Sequence, residues 1–347
     1  MDPSVYIPAY LERAYVASHP ELTDAARELV HNDISANPQK YAQSEHAQAL
    51  LSYAGVHRHL LDELHRIEDM GSDEEFEQTR NRLFDDMRDE LLKIVRVDAL
   101  AVDAQLLAII LADTPVDACL GDLMKLEATT ADYLQQSVPG FDMEAPHYWA
   151  NKVLTDGVTA AELTVSEPAL IGWLHTLEAI SQLCMASARY RAAANYARRV
   201  LKAEGYPTRA AGTVLLALAR LEDQDGFFAL AHQLEEEIGA DALENSPWYL
   251  LARTILLFKT NKMRPATRAL REFANRCEGG AFFLLNPMYQ TPYLPCRPEP
   301  HDPWDLSHQA VWEADGIISD TPDFAPWANA CEDVSQLAQE FARRYGF

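Results

Sequence analysis

The sequence predicts an all-α protein whose second half is a solenoid of stacked helical hairpins. Pro168, Pro207 and Pro247 stand 39 and 40 residues apart, and each opens a run rich in alanine and leucine. Because one hairpin of two helices cannot bury its apolar stripe alone, such units stack on their neighbours. The stack leaves an extended surface that commonly holds another molecule.

The second helices of the pairs recur at a similar spacing. These helices are predicted to begin near Tyr190, Phe227 and Met263, 37 and 36 residues apart. Each presents small side chains on one face, which lets paired helices approach closely. The small residues are Ala193 and Ala197, Ala229 or Ala231, and Ala266 and Ala269.

The first third is predicted to be helical without a clear repeat. One helix follows residues 20–23, and a longer one spans about 47–70. Ser72, with Glu75 three residues later, has the reciprocal capping pattern of a helix start. The helix that follows is expected to reach about Val97.

Three regions follow from the rest of the pattern. Residues 99–112 are nearly all apolar yet too few to cross a membrane, so they predict a buried helix. Thr114 and the proline after it predict a new helix to about Leu134, and residues 136–146 form a loop. The expected organisation is an acidic helical region over 1–140, helix-pair repeats over 147–280, and a proline-rich segment with capping helices over 281–347.

Charge is strongly acidic and unevenly distributed. The chain has 347 residues, 48% of them apolar, and a formal net charge of −24. This charge repels phosphate backbones and anionic lipid, so neither nucleic acid nor a membrane surface is an expected partner. Residues 189–276 hold 14 Lys and Arg against 10 Asp and Glu. That local excess indicates either a groove for an acidic peptide or solvated helix faces.

The cysteine pattern and the lack of apolar runs long enough to span a membrane predict the cellular compartment. The five cysteines are odd in number, widely scattered and without a CxxC pair, which is typical of reduced cytosolic thiols. The chain begins without a basic leader and apolar core, and no uncharged apolar run is long enough for a membrane span. We therefore expect a cytoplasmic protein.

Two of the three hairpins place large and small residues at corresponding positions. One carries Trp248, Leu251, Ala252 and Ile255, then Ala266, Leu270 and Phe273; another carries Trp173, Tyr190, Ala193 and Ala197. They resemble the tetratricopeptide repeat family, a 34-residue helix pair, over about residues 168–280. The middle unit departs from the pattern because Ala210 stands at the Trp position, and all three units are longer. The resemblance implies a solenoid whose first helices line its concave side.

The segment 286–303 is rich in proline, which excludes a helix interior or a central strand. We expect it to pack against the last repeat. Two alternatives stay open: a docking ligand in polyproline conformation, or a segment lying along the concave surface. A helix to about Ile318 and one final amphipathic helix, carrying Trp327 through Tyr345, are predicted to cap the solenoid.

One helix carries a histidine cluster that could bind a metal. His59 and Glu63 are four residues apart, and His57 and His65 lie on the same helix. Two ligands on one face are possible, but the same spacing is typical of a solvated helix with ion pairs. The motifs GxSxG, HExxH and GxxxxGK[ST] are absent and glycine is sparse, so no cofactor and no catalytic residue are predicted.

The sequence thus favours a scaffold or adaptor, without chemistry of its own, that binds a protein or peptide; acidic groups on that partner are one of the two interpretations of the local basic excess. The alternative is a helical metal-dependent protein or enzyme that uses the cluster of His57, His59, Glu63 and His65. The candidate partner-binding residues are Trp173, Trp248, Tyr249, Arg253, Lys259 and Arg268.

Overall fold

The computed structural model describes residues 2–67, 72–146, 167–203, 205–206, 208–290 and 301–347. Over these ranges the protein is all-helical, with 17 α-helices and no strand. The predicted all-α class is therefore confirmed. Every helix in the described ranges is too short or too polar to cross a bilayer.

Backbone contacts divide the chain into two units. The first comprises residues 1–179 with 202–207, and the second comprises 180–201 with 208–347. This division falls inside the helix Pro168–Ala186. The boundaries expected near 140 and 280 stay predictions.

The first unit is a run of helices in which neighbours along the chain pack together. Its described helices are α1 (Pro3–Ser18), α2 (Asp24–Ala36), α3 (Glu45–Ile67), α4 (Asp73–Val97), α5 (Val102–Ile110), α6 (Val116–Ser137) and the start of α7 (Pro168–Ala186). α1 packs on α2 and α3, α3 on α4, α4 on α5, and α5 on α6. The expected cap of α4 is present, because the Ser72 hydroxyl accepts the Glu75 backbone N–H at 3.4 Å.

α1 is a helix that the sequence analysis did not predict. Pro8 lies inside it, and an internal proline normally argues against a helix. Asp2 nevertheless caps it by accepting the Ser4 backbone N–H at 2.7 Å. Tyr6 and Leu11 are buried and supply its apolar contacts.

The second unit begins with the end of α7 and continues through helix pairs. Its helices are α8 (Tyr190–Leu201), α9 (Ala210–Arg220), α10 (Gln224–Ile238), α11 (Ala240–Glu244), α12 (Pro247–Lys259), α13 (Met263–Arg276), α14 (Gly280–Leu285), α15 (Asp305–Ser319), α16 (Phe324–Asn329) and α17 (Glu332–Tyr345). α9 packs against α8, α10 and α12, and α12 also packs against α13. α15 lies against α9, α12 and α14.

The helices of the second unit begin at the predicted residues except in the middle pair. α8 and α13 begin at Tyr190 and Met263 as expected. α10 begins three residues before Phe227, because Asp223 caps it by accepting the Gly226 N–H at 2.9 Å. Pro207 lies outside the described residues, and α9 begins at Ala210.

The C-terminal region differs from the prediction in one respect. The expected single final helix is two helices, α16 and α17, joined at Ala330 and Cys331. Here the Ser335 hydroxyl donates to the Asn329 carbonyl at 2.7 Å and so supports a turn. Within the proline-rich segment, Pro287–Tyr289 forms a 3-10 turn, and residues 291–300 lie outside the described ranges.

Candidate peptide-binding face

The packing of α9 on α12 depends on a glycine opposite a tryptophan. A Cβ added to Gly212 would stand 2.3 Å from Cγ and 2.4 Å from Cδ1 of Trp248. These distances are far inside the ordinary carbon contact of about 3.5–4.0 Å. Gly212 therefore lets the indole lie directly against α9, where Trp248 is only 5% exposed.

The same indole holds a carboxylate that belongs to a third helix. Nε1 of Trp248 donates to Oε2 of Glu313 on α15 at 2.7 Å. The hydroxyl of Thr213 on α9 donates to Oε1 of the same carboxylate. Glu313 is 7% exposed, so each of its oxygens has a donor in a place that water scarcely reaches.

Polar contacts continue along α9 in both directions. Arg209 donates to the amide oxygen of Gln309 and lies 6.0 Å from the centre of the Trp248 ring. At the other end, Nη2 of Arg220 lies 3.3 Å from Oδ2 of Asp320.

These contacts form a parallel ladder between α9 and α15. Its three pairs are Arg209 with Gln309, Thr213 with Glu313, and Arg220 with Asp320, and each pair is 100 residues apart in sequence. Residues four and eleven positions apart share one side of a helix. The two helices therefore run in the same direction in a fixed register. We call Arg209, Thr213, Arg220 and Trp248 the α9/α12 face.

A tyrosine at the start of α8 extends the far end of the ladder. The Tyr190 hydroxyl donates to Oδ2 of Asp320 at 3.0 Å, and Arg220 lies 5.2 Å from the centre of its ring. Burial and the nearby Asp320 carboxylate both raise the pKa of Tyr190, so the hydroxyl remains a donor at neutral pH.

α15 is also held at its first turn. Nε2 of His308 lies 3.2 Å from the Tyr289 carbonyl, and its ring contacts Phe283 at a centroid distance of 4.6 Å. Burial lowers the pKa of His308, although the Tyr289 carbonyl and Asp305 act in the opposite sense. The apolar side of α15 is buried as well, through Ala310, Val311, Ala314 and Ile317.

The donors of the α9/α12 face match the acceptors that α15 presents. A buried carboxylate is costly unless donors replace its hydration, and here the donors come from two neighbouring helices. Arg209 and Arg220 add positive charge at the two ends of the row. The face thus holds α15 through the spacing of its polar side chains as well as through shape.

Two predicted partner-binding residues are core residues of this structure. Trp173 is fully buried in the first unit, and its Nε1 donates to Oε1 of Glu127 at 3.0 Å. Trp248 is buried beneath α15, as described above. As candidate partner-binding residues Trp173 and Trp248 are corrected, because both indoles are covered by the chain itself.

The other four predicted residues lie nearer the surface. Tyr249 is half-buried and stacks on Phe227 at 6.1 Å between ring centroids. Arg253 pairs with Glu272 at 3.0 Å, and Lys259 pairs with Glu222 at 3.3 Å. Arg268 is exposed on α13. None of the four belongs to the ladder, and their binding role stays a prediction.

The histidine cluster is divided between the inside and the outside of α3. His57 is 5% exposed and lies 5.9 Å from Tyr53 between ring centroids, and burial lowers its pKa. His59 and His65 are exposed, and Glu63 pairs with Arg66. Across the described ranges, no group of three or more His, Cys, Asp or Glu side chains is placed to hold a metal ion.

A second buried polar group lies in the first unit. Oδ1 of Asp103 is 2.8 Å from Nδ1 of His175, and Oδ2 accepts the Tyr6 hydroxyl at 2.5 Å. Burial raises the pKa of Asp103, but the charge and hydrogen bond of His175 and the bond from Tyr6 outweigh it and leave the pKa lowered. A carboxylate that orients an imidazole also occurs in general bases. Here it joins α1, α5 and α7 within a packed interior.

Sequence reasoning missed the ladder because polar residues in a helix are normally assigned to its solvent side. Two signals were present. Gln309 and Glu313 stand four apart within the apolar stripe of Ala310, Val311 and Ala314, and Gly212 interrupts an alanine- and leucine-rich helix. Each breaks the local pattern, as residues at a specific contact often do.

Comparison of the chain with family models, with curated proteins and with solved structures found no match.

Proposed function

We propose that this protein is a helical-repeat scaffold, of the tetratricopeptide type, which binds a helical segment of a protein partner at the α9/α12 face. One observation carries the proposal: the buried carboxylate of Glu313 accepts hydrogen bonds from both Trp248 and Thr213. These two donors lie on α12 and α9, which are the first helices of neighbouring helix pairs. A helix lying in a groove between helices is a common mode of peptide recognition.

Two further features support this proposal. The order of packing, α8 on α9, α9 on α12 and α12 on α13, is the neighbour relation expected of stacked hairpins. In addition, Arg209 and Arg220 place positive charge at the two ends of the α9/α12 face in a chain whose net charge is −24. An acidic helical segment is therefore the partner chemistry that the face fits best.

The test is a selection of displayed 20-residue helical peptides on the full-length protein. Selected peptides should lose about tenfold in affinity for T213V, which removes a donor to a buried carboxylate, and about threefold for R220A, whose carboxylate partner lies at the exposed rim. R264A is the matched control, since Arg264 is exposed on α13 and away from the ladder. Failure to select any peptide whose binding depends on Thr213 or Arg220 would refute the proposal.

A further inference from the structure

The contacts that hold α15 are unlike those of an ordinary core helix. Ser307, His308, Gln309 and Glu313 are all buried on it, beside its apolar residues. Interfaces that form permanently are mainly apolar, whereas interfaces whose two sides also exist apart keep polar groups. Four of the eight buried residues on α15 are polar, as at contacts whose two sides also exist apart.

The ladder also shows what a docked helix must present. We call its three pairs rungs, numbered from Gln309 to Asp320. The second rung is the buried Glu313, both of whose oxygens accept hydrogen bonds. The third rung is the carboxylate of Asp320, whose side chain is 43% exposed. The first rung is an amide oxygen that accepts from Arg209. An aspartate or glutamate at that rung would accept the same bond with added charge.

We infer that α15 is an internal ligand of the α9/α12 face, and that the partner is an acidic helix that carries the same row of acceptors and displaces it. That row is an amide or carboxylate, followed by carboxylates four and eleven residues later. This inference rests on the proposed function, whose binding site it specifies and whose regulation it describes.

The energetics make such an exchange feasible. Tethering gives α15 a local concentration in the millimolar range, so a free helix of equal affinity cannot compete efficiently. A partner with a carboxylate at all three rungs binds more tightly than α15, whose first rung is the neutral Gln309. Weakening α15 from within should open the face in the same way.

The experiment uses the full-length chain and a fluorescein-labelled peptide of residues 302–321, with binding measured by fluorescence anisotropy. In the E313Q chain, the internal helix has lost its carboxylate and the added peptide retains it. The E313Q chain should therefore bind the peptide at least about tenfold more tightly than the wild-type chain. D315N is the matched control, since it removes a carboxylate from the same helix outside the ladder, and it should bind as the wild type does.

A second peptide tests the same contact by carrying the substitution in the peptide instead of in the chain. A labelled peptide that itself carries E313Q should bind the E313Q chain about tenfold more weakly than the unaltered peptide. If the E313Q chain loses the helical circular dichroism of the wild type, the comparison is made with D320N. That change lies at the exposed rim, and a roughly threefold gain in peptide affinity is expected there.

The inference is overturned if wild-type, E313Q and D315N chains bind the peptide equally, or if none of them binds it. It is also overturned if the peptide binds without regard to its own Glu313. If only this inference failed, selected peptides would still depend on Thr213, but they would share no row of acceptors with α15 and the 302–321 peptide would not compete with them. If the proposed function failed, no peptide would depend on that residue.

Discussion

Replacing Gly212 by alanine should destabilise the second unit and disturb the α9/α12 face together. The new Cβ would stand 2.3 Å from Cγ of Trp248 and 2.8 Å from its Cβ. The indole has little room to retreat, because it is 5% exposed and its Nε1 is bonded to Glu313 at 2.7 Å. Either the ring or α9 must therefore move by about an ångström.

The size of the effect follows from three opposing contributions. Overpacking at a rigid contact costs about 3 kcal/mol, and replacing glycine by alanine inside a helix returns about 1 kcal/mol. A displaced indole weakens the bond to the buried carboxylate by about another 1 kcal/mol. We expect G212A to lower the free energy of unfolding by about 3 kcal/mol, measured by urea unfolding with tryptophan fluorescence and circular dichroism.

A second glycine provides the control for helix propensity. Gly121 lies inside α6, and a Cβ there would have no neighbour within 4 Å. G121A should therefore leave stability unchanged or raise it by up to about 1 kcal/mol. If G212A behaved like G121A, Trp248 would be free to move and the proposed geometry of the face would be wrong.

Three further predictions concern buried groups. The pKa of His57 is lowered by burial, so folding loses stability as pH falls below its unfolded pKa of 6.5; H57Q should remove up to about 1.4 kcal/mol per pH unit of that slope in unfolding titrations. A slope unchanged in H57Q would refute this. D103N leaves the buried bonds of Tyr6 and His175 without their carboxylate, and should cost the first unit about 2–4 kcal/mol in thermal or urea unfolding, whereas a loss below about 0.5 kcal/mol would contradict it. Burial raises the pKa of Cys277 from 9.0 to about 12, which reduces its thiolate fraction about a thousandfold; alkylation at pH 8 followed by mass spectrometry should reach Cys277 only after denaturant is added, and rapid native labelling would refute its burial.

Much of the fold was predictable from local sequence physics. The cap at Ser72 and the starts of α8 and α13 followed from capping chemistry and from apolar spacing that recurs along the chain. These features depend on residues a few positions apart, so one sequence suffices to find them. α1 was not predicted, and its internal Pro8 is a residue that local rules count against a helix.

The site could not be predicted in the same way because it joins residues 100 positions apart. Trp248 was identified as important, but helical spacing alone could not show that its indole faces Glu313 on α15. The buried network of Asp103 and His175 was missed for the same reason. A single sequence contains no record of which polar residue meets which across helices, and burial of a carboxylate runs against the average rule.

Hydrogen–deuterium exchange along α15 tests the central claim most directly. The full-length protein is compared alone and saturated with a selected acidic helical peptide that binds through Thr213. If the peptide replaces the internal ligand, backbone amides of 305–319 should exchange at least about tenfold faster in the complex, while those of α12 and α13 stay protected. Unchanged protection of α15 in a saturated complex would contradict the account.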